Sequence, residues 1–393
     1  MKQCWRWFGP HDTVALNDLH QVGVQGIVSA LHHIPPGDIW TDDEITQRQE
    51  MLAKSGFDWD VVESLPVSEA IKTQSSDAAT HIEAYKTSLK ALAHRGISTV
   101  CYNFMPILDW TRTALRAPQN HGGTAMLFDL TDFTVFDLHI LARAGAEDDY
   151  TPAQQAAAQD RFHAMTDVDC LTLQNNIIAG LPGANDAWTL PDVRAQLASY
   201  DNITPDQLRG HLVDFLSEVA PVAETLGIRL CCHPDDPPFG LLGLPRVMST
   251  TQDYAATLAA VDVPANGATL CTGSLGVRPD FDAPGFVKQL GSRIHFAHLR
   301  NTKRLSDDPD RPDFFEAPHL EGDTDMVATI RALLQEERSR QAAGRSDWQI
   351  PMRPDHGQEL LYDREADSMP GYPLIGRMRG LAELRGIMAA CAD

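Results

Sequence analysis

The chain has 393 residues, with 32 Lys or Arg against 54 Asp or Glu, so its formal charge at pH 7 is −22. Hydrophobic residues at 43% and charged residues at 22% describe a folded globular protein and exclude wholesale disorder. The acidic balance repels polyanions, which excludes nucleic acid and anionic membrane surfaces as partners. A small anionic ligand would need local Arg, Lys or metal to overcome the same field.

Residues 1–10 carry no apolar h-region, and no stretch approaches a membrane span. The seven cysteines (Cys4, Cys101, Cys170, Cys231, Cys232, Cys271 and Cys391) are odd in number and have no framework spacing. A cytoplasmic protein with free thiols is therefore expected. In chain order, β-prone apolar runs fall at 4–8, 26–31, 58–63, 98–104, 228–233, 268–271, 294–298 and 348–354. Helix-like stretches fall at 41–55, 76–95, 205–226, 249–261, 282–291 and 323–343. Continuous apolar runs bounded by polar residues mark strands buried on both faces, and eight of them alternating with helices predict an α/β protein with a (β/α)₈ TIM barrel. An open doubly wound sheet is the competing architecture, but no Gly-x-Gly-x-x-Gly follows the first strand and no Walker loop occurs. More than 100 residues separate Phe104 from Ile228, and this stretch holds helix-like segments at 127–141, 152–164 and 170–178. A helical insertion over 105–227, after the fourth strand, is expected to cover the mouth of a single domain spanning 1–393.

In such a barrel the chemistry sits at the C-terminal ends of the strands. There the chain places Arg6 and Trp7, His32-His33, Glu63, Asn103 with Asp109 and Arg112 close behind, His233, Cys271, His298, and Asp355-His356. His233, Cys271, His298 and Asp355 come one each from four successive strands. Imidazole, thiolate and carboxylate together suit a divalent first-row metal such as Zn²⁺, Mn²⁺ or Fe²⁺. His356 adjoins a candidate ligand, and histidine is the usual general base near neutral pH. Arg300, two residues after His298, faces the same side if the strand alternates and puts a cation beside the metal. Arg6, Trp7, His32, Asn103 and Arg300 are the candidate substrate contacts. For Trp7, packing at the mouth is the competing reading, and of His32-His33 at most one faces the site, since neighbours on a strand point oppositely. Cys271-Thr272-Gly273-Ser274 allows close approach at glycine, and no Gly-x-Ser-x-Gly elbow of a serine hydrolase is present.

Several ordered motifs resemble the mannonate dehydratase family. They are Trp5-Arg6-Trp7-Phe8-Gly9-Pro10, Ala30-Leu31-His32-His33-Ile34-Pro35, Cys101-Tyr102-Asn103-Phe104-Met105-Pro106, Leu108-Asp109-Trp110-Thr111-Arg112, Asn176-Ile177-Ile178-Ala179-Gly180-Leu181-Pro182-Gly183, His233-Pro234-Asp235-Asp236-Pro237, Cys271-Thr272-Gly273-Ser274, His298-Leu299-Arg300, Met352-Arg353-Pro354-Asp355-His356-Gly357 and Gly371-Tyr372. The resemblance covers essentially the whole chain. It implies a xylose-isomerase-like barrel and a hydro-lyase that converts D-mannonate to 2-dehydro-3-deoxy-D-gluconate and water in hexuronate (glucuronate) catabolism. It further implies Mn²⁺ or Fe²⁺ on His233, Cys271, His298 and Asp355, with His356 and Tyr372 in proton transfer, the acid and the base not being distinguished. The expected partner is a small molecule, and a homodimer pairing through the insertion is the expected assembly. Two alternatives keep the barrel: a metal-dependent sugar isomerase or epimerase, and a dehydratase acting on another aldonate. The cysteine ligand and the Asp355-His356 pair favour the dehydratase over an isomerase, whose metal sites are usually carboxylate-rich. A non-catalytic sugar-binding protein is disfavoured by the intact strand-end constellation.

Overall fold

A computed structural model describes residues 1–108, 110–179, 189–306, 308 and 311–392. Asp109 and residues 180–183 of the insertion motif therefore lie outside the described residues. Among the described residues there are twelve strands: β1 (Lys2–Arg6), β2 (Gly26–Ser29), β3 (Trp59–Glu63), β4 (Thr99–Tyr102), β5 (Ala114–Pro118), β6 (Thr124–Phe128), β7 (Arg229–Cys232), β8 (Asn266–Cys271), β9 (Ile294–His298), β10 (Asn301–Arg304), β11 (Phe314–Ala317) and β12 (Pro351–Arg353). Eight of them close into a barrel in the order β1-β12-β9-β8-β7-β4-β3-β2, every neighbouring pair parallel. These eight are the runs expected from the sequence.

Strand alternation sorts the side chains into two layers inside the barrel. Cys4, Val28, Val61, Cys101, Cys231 and Phe296 form a buried apolar layer of their own. Two residues further along, five of these six positions turn polar (Arg6, Glu63, Asn103, His233 and His298), and Ala30 follows Val28. The opposite strand faces, with Trp5, Ile27, Val62, Val100, Leu230, Leu270 and Ala297, pack into the large core shared with the helices. The helix Pro205–Leu226 shows why those helices form where they do. Thr204 and Gln207 make a capping box, Pro205 occupies the first turn, and Gly227 ends the helix at a φ of 71°. Its Leu208, Leu212, Phe215, Leu216, Val219 and Ala223 are buried at helical spacing.

The insertion is not wholly helical, which corrects the expectation for 105–227. It opens with a hairpin, β5 and β6, and β6 pairs antiparallel with β11, which pairs with β10. The result is a separate four-stranded sheet of order β10-β11-β6-β5. Helix begins only at Leu130, where the Asp129 side chain accepts from the Asp132 amide at 2.9 Å. The partners of this sheet lie in two distant stretches of chain, so periodicity within the insertion carries no sign of it. Among the described residues no helix is long and apolar enough to cross a membrane.

Candidate active site

The barrel mouth brings the polar strand-end groups together. One ligand atom from each of His233, Cys271 and His298 lies within 4.8 Å of the others. His233 Nε2 stands 3.1 Å from His298 Nδ1. Asp355 Oδ2 is 3.8 Å from both Cys271 Sγ and His298 Nδ1. Bonds of 2.0–2.3 Å to a tetrahedral ion put ligand atoms about 3.3–3.8 Å apart, so these separations suit a first-row metal after small adjustments. The chemistry of the donors fits as well. Pro234 O accepts from His233 Nδ1 at 2.7 Å, leaving Nε2 free to ligate. His298 Nε2 lies 3.3 Å from Glu63 Oε2 and 3.2 Å from Arg353 Nε, and its Nδ1 faces the other donors. The His233 imidazole is thus oriented by an acceptor on its far nitrogen, as metal-bound histidines usually are, and the His298 ring is held between Glu63 and Arg353. Asp355 reaches the group from a backbone φ of 62°, a region sparsely populated by residues with a Cβ.

Around the donors runs one continuous network of buried ion pairs. Arg6 Nη1 donates to Glu63 at 2.7 Å, and Arg353 grips both oxygens of Glu63 at 2.6 and 2.9 Å while also pairing with Asp355. Arg300 lies 2.8 Å from Asp236, 2.8 Å from Glu316 and 3.2 Å from Asp355. Arg112 closes the network on Asp236 at 2.9 Å and Glu316 at 2.8 Å. Burial would raise the carboxyl of Asp355, but Arg353, His356, His298 and Arg300 hold it well below its ordinary value. Burial likewise works against Glu63, and Arg353 and Arg6 overcome it. A Cβ on Gly273 would come within 2.4 Å of Arg300 Nε, so the glycine two residues after Cys271 is what admits the Arg300 side chain.

Beside the donors stand His356 and Tyr372, with Nε2 and Oη 3.1 Å apart. Nε2 is also 3.7 Å from Asp355 Oδ1, and Nδ1 on the opposite edge of the ring is 3.3 Å from Glu316 Oε1. Burial lowers the His356 pKa, which favours the neutral imidazole, and burial pushes the Tyr372 hydroxyl up to about 12.

The structure gathers all the ligand and proton-transfer candidates into one mouth. Of the candidate substrate contacts, Arg6 and Arg300 are committed to the ion-pair network. Asn103 is half-buried at the end of β4. Trp7 is buried beneath the Arg48 guanidinium, 5.5 Å from its ring. His32 stands 5.5 Å from the Phe8 ring, and burial together with Arg6 and Arg48 takes its pKa down to about 3. His33 instead faces outward and pairs with Glu44 at 2.8 Å. The roles of Glu63, Asp236, Glu316 and Arg353 were not assigned from the sequence. Glu63 gave a signal as a carboxylate ending an apolar strand, because a buried charge requires a partner.

The sequence profile of the family described as D-mannonate dehydratase (UxuA) matches residues 1–393. The mannonate dehydratase of Rhizobium meliloti (strain 1021) is 56% identical over 391 residues, 99% of this chain and 97% of that protein. The crystal structure of mannonate dehydratase from Streptococcus suis serotype 2 superposes with a TM-score of 0.75 at 30% identity, covering 100% of this chain and 95% of the other. A xylose isomerase-like TIM barrel protein from Mycobacterium smegmatis, at 14% identity and a TM-score of 0.50, covers 100% of this chain and 97% of its own and shares the fold.

Proposed function

The chain belongs to the D-mannonate dehydratase (UxuA) family, and on that premise we propose how its barrel mouth converts D-mannonate to 2-dehydro-3-deoxy-D-gluconate and water. The activity is metal-dependent dehydration, and an isomerase on the same barrel is not favoured. The observation that carries the site assignment is the convergence of His233, Cys271, His298 and Asp355 beside the His356–Tyr372 pair.

His233, Cys271, His298 and Asp355 would hold the ion, for which we propose Mn²⁺ or Fe²⁺. When bound, a divalent ion supplies charge that offsets the Cys271 thiolate and the substrate carboxylate, and it polarises the substrate oxygens. The four buried carboxylates Glu63, Asp236, Glu316 and Asp355 are matched by the four guanidiniums of Arg6, Arg112, Arg300 and Arg353. The mouth is therefore locally balanced although the chain carries −22.

His356 Nε2 takes the C2 proton. The C2–H electron pair becomes the C2–C3 double bond, and the C3–O pair leaves with the hydroxyl. Tyr372, whose high pKa keeps its proton on Oη, donates it so that the hydroxyl departs as water. The enol then ketonises. The 3.1 Å contact lets the proton gained by His356 return to Tyr372, which resets both groups. Arg6, Trp7, His32, Asn103 and Arg300 would line the substrate side. Seven free thiols support a reducing cytoplasm. Val168 and Leu171, exposed on the helix Asp167–Ile178 of the insertion, support a homodimer formed through it.

The test is turnover of a panel of aldonic acids with Mn²⁺ or Fe²⁺ under anaerobic, reducing conditions. A 2-keto-3-deoxy acid should form from D-mannonate. Ketose formed from an aldose, with mannonate untouched, would overturn the assignment.

A further inference from the structure

We propose that Glu316 is a positioning residue of the reaction: it fixes the proton of the His356 imidazole on Nδ1 and leaves the Nε2 lone pair to face Tyr372 and the substrate. This rests on the reading of His356 as the base. Glu316 lies outside the barrel, on β11 of the small sheet. Its Oε1 stands 3.3 Å from His356 Nδ1, while Nε2 on the other edge lies 3.1 Å from Tyr372 Oη. A neutral imidazole has one donor and one acceptor nitrogen, and a carboxylate only accepts. With Glu316 in place the hydrogen belongs on Nδ1. The opposite tautomer would set a lone pair against a carboxylate and leave no base on the reacting side.

Glu316 is itself immobilised. Arg112 Nη2 donates to Oε1 at 2.8 Å, and Arg300 Nε lies 2.8 Å from Oε2. The Glu316 carbonyl accepts from Gln358 Nε2 at 2.8 Å, and Gln358 is two residues beyond His356. The strand and the catalytic loop are thus tied together by main chain as well as by side chains. The small sheet is then part of the proton-transfer machinery as well as a cover.

A double-mutant cycle separates this role from a purely structural one, in which Glu316 would serve only Arg112 and Arg300. Glu316→Gln should lower kcat roughly 10–100-fold, the range seen when an outer-shell orienting group is removed, with KM and metal content little changed. Introduced into His356→Asn, the same substitution should cost nothing further, because both changes act through one imidazole. An undiminished additional loss in that background would overturn the inference. Near-wild-type turnover of His356→Asn alone would overturn the base assignment and the inference with it. If Glu316→Gln does not fold, ¹⁵N-histidine spectra of the zinc-loaded wild-type enzyme decide. The His356 signals, identified by their loss in His356→Asn, should show hydrogen on Nδ1, and hydrogen on Nε2 would overturn the proposal.

Discussion

Two layers of the same barrel use the same residue types for opposite ends. Cys231 and Cys271 are both buried thiols at the inner surface, one on β7 and one on β8. Cys231 sits in the apolar layer with Val28, Val61 and Phe296. Cys271 sits one layer higher, with Asp355 and Arg300 within 4 Å of its sulfur. β9 repeats the contrast with histidines. His298 faces the mouth, whereas His295 turns outward and lies 3.0 Å from Pro264 O. Neighbours, rather than residue type or burial, divide packing from chemistry here.

The contrast can be broken at its strongest point first. His356→Asn should lower turnover of D-mannonate roughly 10²–10⁴-fold, the usual worth of a positioned acid–base group, with metal content retained. Cys271→Ser should weaken metal binding by about 100-fold or more, since even outer-shell changes typically cost 10–100-fold. Competition with a chelator measures this independently of turnover. Unchanged affinity would return Cys271 to the packing class.

His295 tests the other histidine. Burial, with Arg340 and Arg229, takes its pKa to about 3, below the ordinary 6.5. As pH falls, the unfolded chain binds this proton first. The contribution of His295 is therefore complete above 6.5 and is lost progressively as pH drops toward about 3. His295→Gln should flatten the acid side of the stability–pH curve by up to about 1.4 kcal/mol per pH unit, read by denaturant titration at a series of pH values. Cys231→Ala should cost about 1 kcal/mol of stability and leave kcat near wild type. Asp206→Ala, which removes an exposed partner of Arg209, should change stability by less than about 0.5 kcal/mol. A kcat loss in Cys231→Ala comparable to that of His356→Asn would erase the distinction between the layers.

The eight barrel strands were legible because each is a local apolar run with its own punctuation. Period-two alternation then puts His233 two residues past Cys231 and His298 two past Phe296, which made the donor set legible as well. Tyr372 follows no strand, and only the family resemblance pointed to it. The small sheet was not legible. β6 and β11 are short, they come from opposite halves of the chain, and neither shows a strand pattern of its own until the other is beside it. Glu316 was lost for the same reason, lying at the end of the Asp- and Pro-rich stretch 305–317. Arg353 and Glu63 stood in view at strand ends, but their pairing across the barrel is a property of closure and not of either segment.

Barrel closure also has a consequence in time. β1 is sealed by β12, with Lys2 and Gln3 registered against Pro351 and Met352. A ribosome adding about 5–20 residues per second needs roughly 20–70 s to pass from one to the other. Through that interval the first strand, with Cys4 and Trp5, has β2 on one edge and nothing from β12 on the other. The nascent chain therefore carries an unpaired apolar edge for most of its synthesis, which is where chaperone dependence and aggregation during overproduction are expected to originate.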